Sequence, residues 1–289
     1  MPKTPHTDTG SFLGSLWMVV AAVCFCTMGI LVKAAGGRFA MHEYELVFWR
    51  VIFATIVLGV QACIAKQSFV TAYPKAHFWR SLAGTLGLVT FFFGLVHLPL
   101  ATAITFNYTS SLFLALFSVL ILKQYPSGLT WFALMLGLVG IGLILQPSIL
   151  GHGWLPTLVG LGSGAVAGYA YLQVRELSLL GEPSWRIVFY FSALASVVTF
   201  IISTIKGWTM ISVEMVPYLL GIGLSAMFGQ LAMTHAYKVG RKFMVSALAY
   251  LTVVLSTLYG VVAFDEMLPM MAMVGIGLVI SSGILAGKK

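Results

Sequence analysis

Apolar runs recur along the entire chain, at roughly 13–34, 44–65, 81–97, 101–122, 129–146, 155–174, 186–205, 216–236, 243–264 and 268–286. Each is close to the ~20 residues that a helix needs to cross ~30 Å of hydrocarbon. Of the 289 residues, 60% are hydrophobic and only 8% charged, against roughly 25% charged in a soluble domain. A chain this apolar has too little polar surface to face water, so its solvent is lipid. Hydrocarbon admits only helices or closed barrels, because every backbone N–H and C=O must be paired within the protein. The runs are long and unbroken, without the dyad alternation of barrel strands. The expected fold is an all-α membrane protein of ten transmembrane helices. The first run is read as a retained helix: it is longer than a signal-peptide core, and the segment before it holds only Lys3.

The formal net charge is +8, but the basic residues stand singly between apolar runs and form no stripe. Nucleic acid is therefore not an expected partner; the charges read as topology signals. With a cytoplasmic N-terminus and alternating spans, twelve basic residues fall inside: Lys3, Lys66, Lys75, Arg80, Lys123, Arg175, Arg186, Lys238, Arg241, Lys242, Lys288 and Lys289. Three fall outside, Lys33, Arg38 and Lys206, and Arg50 lies within a span. The positive-inside bias then puts both termini in the cytoplasm of a cell with an inner (plasma) membrane. Cys24, Cys26 and Cys63 lie inside apolar runs without zinc or redox spacing and are expected to be small buried side chains.

A shift of 142 residues superposes the two halves: Lys33 falls on Arg175, Tyr108 on Tyr250 and Gln124 on Glu266. Residues 1–147 and 148–289 are thus expected to be two five-helix repeats of one membrane domain. Five is odd, so the second half is threaded upside down relative to the first. Inverted repeats place a substrate site near the midplane where the halves meet.

Several segments carry a family resemblance. Phe48-Trp49-Arg50-Val51-Ile52-Phe53 lies in the second span, and Leu98-Pro99-Leu100-Ala101-Thr102-Ala103 opens the fourth. Asn107-Tyr108-Thr109-Ser110-Ser111-Leu112-Phe113 follows in mid-span, with Ser111 where relatives often carry proline. Lys123-Gln124 and Asp265-Glu266 close the fourth and ninth spans, where glycine-glutamate is common. Over residues 13–286 the chain resembles the drug/metabolite transporter (DMT) superfamily, specifically its ten-helix EamA-type members. The resemblance implies a 5+5 inverted fold whose central cavity is lined chiefly by spans three, four, eight and nine, with one and six contributing. It also implies export or exchange of amino acids or related metabolites.

Arg50 sits about six residues from the outer end of its span, roughly 9 Å deep at 1.5 Å per residue. An arginine near mid-bilayer costs at least ~2.5–3.5 kcal/mol and should face protein or water. Either it attracts a substrate carboxylate or phosphate, or it pairs with Glu43 or Glu45 or snorkels outward. The fourth span is unusually polar from Thr102 to Ser111, and its counterpart carries Ser246, Tyr250, Thr252, Ser256 and Thr257. Candidate substrate-binding residues are Arg50, Trp49, Asn107, Tyr108, Tyr169, Tyr171, Gln230 and Tyr250. Small residues at four-residue spacing, Gly160, Gly164 and Gly168, with Gly137, Gly140, Gly275, Gly277 and Ser281, favour close helix contact.

No nucleophile–base pair, metal constellation or phosphate loop is present, so no catalytic group, metal or cofactor is expected. No Asp or Glu lies deep in a span, which points to facilitated efflux or exchange rather than a carboxylate proton relay. A small-molecule substrate and the lipid bilayer are the expected partners, with the protein a monomer or weak dimer. The expected function is inner-membrane transport of small polar metabolites, with uptake of nucleotide-like solutes as the alternative. One arginine among aromatics favours amino acids; two or more cationic groups favour nucleotides.

Overall fold

A computed structural model describes residues 10–98, 100–146, 153–264 and 269–287. Pro99, Asp265, Glu266, Lys3, Lys288, Lys289 and the 147/148 repeat boundary lie outside the described residues, as do the side chains of Lys33 and Thr102. Among the described residues regular structure is helical, apart from an isolated bridge between Ser11 and Gly240. The first half contains α1 (Phe12–Ser15), α2 (Trp17–Phe39), α3 (Glu43–Ile64), α4 (Pro74–His97), α5 (Leu100–Tyr108), α6 (Ser110–Leu120) and α7 (Gly128–Leu145). The second contains α8 (Trp154–Leu179), α9 (Ser184–Lys206), α10 (Val216–Val239), α11 (Lys242–Leu248), α12 (Leu251–Phe264) and α13 (Met270–Gly287). Local chemistry sets several ends. Ser127 Oγ accepts from Thr130 N at 3.2 Å and caps α7, whose far end closes on Gln146 in the left-handed region at φ 43°. Prolines open α4 and α10, where a missing N–H costs nothing.

Eight helical stretches are long and apolar enough to cross a membrane: Phe12–Phe39, Glu43–Ile64, Ala103–Leu120, Gly128–Leu145, Trp154–Leu179, Ser184–Lys206, Val213–Val239 and Lys242–Tyr259. Met270–Ala286 is a shorter apolar helix. α4 falls outside that set and carries Lys75, His77 and Arg80 in its first two turns. Burial is reversed relative to a water-soluble protein. Mid-helix Val60, Val139, Val197, Phe228 and Met273 are exposed, whereas Ser163, Ser192, Thr199, Thr234 and Ser246 are buried. Such an apolar exterior is stable against lipid, and the chain is a multi-pass membrane protein.

Four pairings organise the bundle: α2 on α10, α4 on α8, α3 on α9, and α7 on α13. Small residues permit the last of these, and also the contact of α8 with α5 and α6. A Cβ on Gly140 would come within 2.7 Å of Gly275 O, and one on Gly275 would come within 2.5 Å of Gly140 O, so α7 and α13 touch backbone to backbone. Gly160, Gly164 and Gly168 turn one face of α8 towards Phe106, Thr109, Ser110 and Phe113. Gly277, by contrast, has nothing within 4 Å of its Cβ position, and Ser281 Oγ bonds back to Gly277 O at 2.8 Å. Of the cysteines, Cys26 is buried but Cys63, at the end of α3, is exposed, contrary to the sequence expectation. The helix end simply turns that side chain outward.

The fourth and ninth spans are each interrupted without a proline. α5 ends at Tyr108 and α6 begins at Ser110; Thr109 N donates to Phe106 O at 3.2 Å and Leu112 N to Thr109 O at 2.9 Å. α11 ends at Leu248 and α12 begins at Leu251; Tyr250 N donates to Ala247 O and Thr252 N to Ala249 O, both at 3.2 Å. These are i→i+3 bonds, the tighter 3₁₀ winding. Thr109 Oγ1 reinforces the first by donating to Phe106 O at 2.5 Å, the hydroxyl back-bonding that bends helices.

Candidate functional site

The packing of α3, α9 and α10 leaves a small cavity of about 10 Å³, the space of a single water molecule. Arg50, Val51 and Ala54 come from α3, Phe191 and Ser192 from α9, and Ala226 and Gln230 from α10. The small side chains of Ala54, Ser192 and Ala226 keep it open, while Arg50 and Gln230 give it polar character. The family resemblance implied a cavity lined chiefly by spans three, four, eight and nine; this pocket belongs to spans two, seven and eight. The difference has a physical basis. Three polar side chains of the fourth span bond within the protein. Ser111 Oγ donates to Ser246 O at 2.9 Å, Ser118 Oγ to Leu114 O at 2.8 Å, and Thr109 Oγ1 to Phe106 O.

Arg50 faces this pocket with its guanidinium 5.9 Å from the Phe25 ring centroid. Neither acid at the start of α3 pairs with it. Glu43 lies 3.3 Å from His42 and 4.0 Å from Lys206. Glu45 is fully buried, and its Oε2 accepts from Thr209 N at 3.4 Å. Among the described residues no carboxylate forms an ion pair with Arg50.

Sequence reasoning treated Arg80 only as a topology charge at the inner surface. The structure buries it: Arg80 is 2% exposed, and its guanidinium lies 4.6 Å from the centroid of Phe191, the same ring that walls the Arg50 pocket. Its Nε and Nη1 have no hydrogen-bond partner among the described residues. A Cβ on Gly84 would overlap Arg80 Nη1, so the guanidinium rests one turn further along α4 than its own Cα. The signal that would have found it is the glycine at the i+4 position, which leaves room for an arginine head turned inward.

The other sequence-selected residues divide. Gln230 lines the pocket with Arg50. Tyr171 stacks on Tyr237, with ring centroids 5.7 Å apart and planes 20° apart, and lies within electrostatic range of both Arg50 and Arg80. Tyr108 is within electrostatic range of Tyr171 and meets Tyr250 edge-on at 6.0 Å. Tyr250 itself is fully buried, packs against Gly137 and directs its hydroxyl towards Leu134 O at 3.4 Å; it fills the junction with α7 rather than this pocket. Trp49 packs with Leu46 and Leu219 away from the pocket. Tyr169 Oη accepts from Gln173 Nε2 at 2.7 Å and its ring meets Phe117 edge-on. Asn107 is half-buried at the end of α5 and does not border the pocket.

The two ends of the bundle differ. At one end Glu182, in the α8–α9 connection, accepts from Thr71 Oγ1 at 2.6 Å and Arg186 Nη1 at 2.9 Å, and lies 3.1 Å from His77 Nε2. Arg186 Nη2 also donates to Ser68 O at 2.6 Å. At the same end Arg175 donates to the carbonyls of Tyr237, Lys238 and Gly240, closing the C-terminus of α10. At the other end Arg38 pairs with Glu214 at 3.0 Å, both exposed. Surface pairs of that kind contribute little, so the Glu182 end is the more firmly tied.

Comparison with known proteins is consistent with this architecture. A pseudopaline exporter of Pseudomonas aeruginosa is 28% identical over 262 residues, covering 88% of each chain. An S-adenosylmethionine uptake transporter of Rickettsia prowazekii is 22% identical over 254 residues, covering 88% of this chain and 85% of that one. One solved crystal structure shares the fold with a TM-score of 0.80 at 17% identity, covering 95% of this chain and 96% of the other. The profile of the EamA-like transporter family matches twice, at residues 12–146 and 154–287. With both matched segments together spanning nearly the whole sequence, the chain belongs to the EamA-like transporter family.

Proposed function

We propose that this protein moves small polar metabolites, amino acids or related compounds, across the inner membrane by alternating access at the pocket between α3, α9 and α10. The observation that carries the reading is Arg50. It is a permanently charged guanidinium in a membrane-spanning helix, facing a pocket and lacking an acidic partner among the described residues. Such a charge is costly unless an anionic or water-filled environment receives it.

The architecture we infer has ten spans. α4 and α13 join the eight long apolar stretches as further spans, with α5–α6 and α11–α12 each forming one. Two inverted five-helix halves are supported by the pairing pattern. Under the 142-residue shift, α2 corresponds to α8 and α4 to α10, so the α2–α10 and α4–α8 contacts exchange with each other. The α3–α9 and α7–α13 contacts map onto themselves, as a two-fold axis requires. The doubled family match and the paired helix interruptions, at Thr109 and at Ala249-Tyr250, point the same way. Both termini lie in the cytoplasm on this reading, at the Glu182 end. Substrate binding is assigned to Arg50, Gln230, Tyr171 and Tyr108, with Trp49, Asn107, Tyr169 and Tyr250 supporting the surrounding helices.

Export or exchange is the favoured direction, in line with the relative that is an exporter. Uptake of a nucleotide-like solute is the second reading, favoured by the Rickettsia relative and by the second buried guanidinium, Arg80. Solute-panel flux in proteoliposomes tests both, with aromatic, aliphatic and acidic amino acids beside nucleosides and AMP. We expect amino-acid flux that persists without an ion gradient and falls at least tenfold in Arg50→Lys, which keeps the charge but loses the planar fork. Unchanged flux in Arg50→Lys, or flux of nucleosides and AMP alone, contradicts the favoured reading.

A further inference from the structure

We infer that Arg50 and Arg80 work as a pair and that the carried solute is a small diacid, with two separated carboxylates, one for each guanidinium. The inference rests on the transport reading and narrows its substrate class.

Two guanidiniums converge on one aromatic wall. Phe191 lines the Arg50 pocket, and the Arg80 guanidinium lies 4.6 Å from the centroid of the same ring. Tyr171 lies within electrostatic range of both. Both heads stay charged at any physiological pH, so the region holds two positive charges. Of the acids nearby, Glu43 lies against His42 and Lys206 and Glu182 against Thr71, Arg186 and His77, while Glu45 accepts from Thr209 N through Oε2 and its buried Oε1 has no hydrogen-bond partner among the described residues.

Arg80 also points the wrong way for a headgroup contact. A snorkelling arginine near the start of α4 would extend back towards that start. Instead its head lies beside Gly84, one turn further into the bundle. Around it, Arg80 Nε and Nη1, Ser81 Oγ and Thr85 Oγ1 are all buried without a hydrogen-bond partner among the described residues. Native interiors leave few such atoms together. A cluster of unpartnered donors around a buried cation is the inverse image of an anionic group.

A nucleotide such as AMP carries its charge on one phosphate group, whereas a diacid carries two carboxylates that can meet two guanidiniums separately. Two acidic groups joined by a short chain offer each guanidinium its own carboxylate. The planar fork of each arginine suits a carboxylate bidentately.

Counterflow of radiolabelled L-glutamate into liposomes bearing the full-length protein tests this, with unlabelled glutarate, L-glutamine and AMP as competitors and labelled L-glutamine run in parallel. Wild type should move glutamate at least tenfold faster than glutamine and be inhibited by glutarate more than by AMP. Arg80→Gln should lower glutamate flux about ten- to hundredfold, the loss of one charge-assisted contact. Glutamine flux in Arg80→Gln should change less than about threefold, so that the preference disappears. Arg80→Lys, which keeps the charge, should retain part of the preference.

Equal loss of glutamate and glutamine flux in both variants would make Arg80 a packing residue and overturn the inference. So would a wild type that moves glutamine as fast as glutamate, or one that AMP inhibits more strongly than glutarate. Flux of neutral or cationic solutes alone would overturn it while leaving the transport reading intact. Absence of flux for every solute, neutral and cationic ones included, would bring down the transport reading as well.

Discussion

Glu182 shows how a single side chain ties the bundle end. It is 4% exposed. Burial by itself pushes its carboxyl pKa up, but hydrogen bonds from Thr71, His77 and Arg186 outweigh that and hold it below the usual 4.5. A carboxylate with a depressed folded-state pKa contributes stability that is present above its unfolded value and lost as pH falls through the folded one. The thermal midpoint of the purified protein should therefore drop as pH falls below about 4.5. Glu182→Gln should cost about 3 kcal/mol at neutral pH, as removing one partner of a buried pair does, and flatten the acid limb. A midpoint in Glu182→Gln that tracks wild type across pH would contradict the assignment. At this scale Arg50 was legible, because an arginine inside an apolar run has few possible roles. Arg80 was not. It sits just before the run at 81–97, and spacing alone does not say whether a long side chain turns in or out.

The helices themselves were legible from apolar run length, and the observed ends differ from the sequence reading mostly by a few residues. α4 is the exception: it begins at Pro74, well before the apolar run at 81. The interruptions of the fourth and ninth spans were not legible, because no proline marks them and Ser111 occupies the position where one is common in relatives. They come from 3₁₀ tightening and from the neighbouring helix. A Cβ on Gly164 would overlap both Thr109 Oγ1 and the Phe106 carbonyl, at the junction of α5 and α6. Gly164→Ala should destabilise by about 1–3 kcal/mol through overpacking, read as a lowered thermal midpoint in detergent. Gly162→Ala, on the same helix with nothing within 4 Å of its Cβ position, should be neutral or slightly stabilising, since alanine is the better helix former. Equal effects at the two glycines would argue against the contact.

Across the whole molecule, a membrane transporter is legible in the apolar runs and the family motifs, while the location of the pocket depends on three-dimensional packing. The polar residues of the fourth span read as cavity lining from the sequence; Thr109, Ser111 and Ser118 among them bond within the protein. The pocket lies instead where Ala54, Ser192 and Ala226 are too small to fill the space between α3, α9 and α10. The central claim is that this space opens alternately to the two sides of the membrane. Thiol labelling of Ser192→Cys in a background free of Cys24, Cys26 and Cys63 tests it most directly, using oriented vesicles and a membrane-impermeant maleimide. Labelling should occur from either face and slow when a transported solute is present. Labelling from neither face, or labelling indifferent to a solute that the same vesicles transport, would contradict the claim.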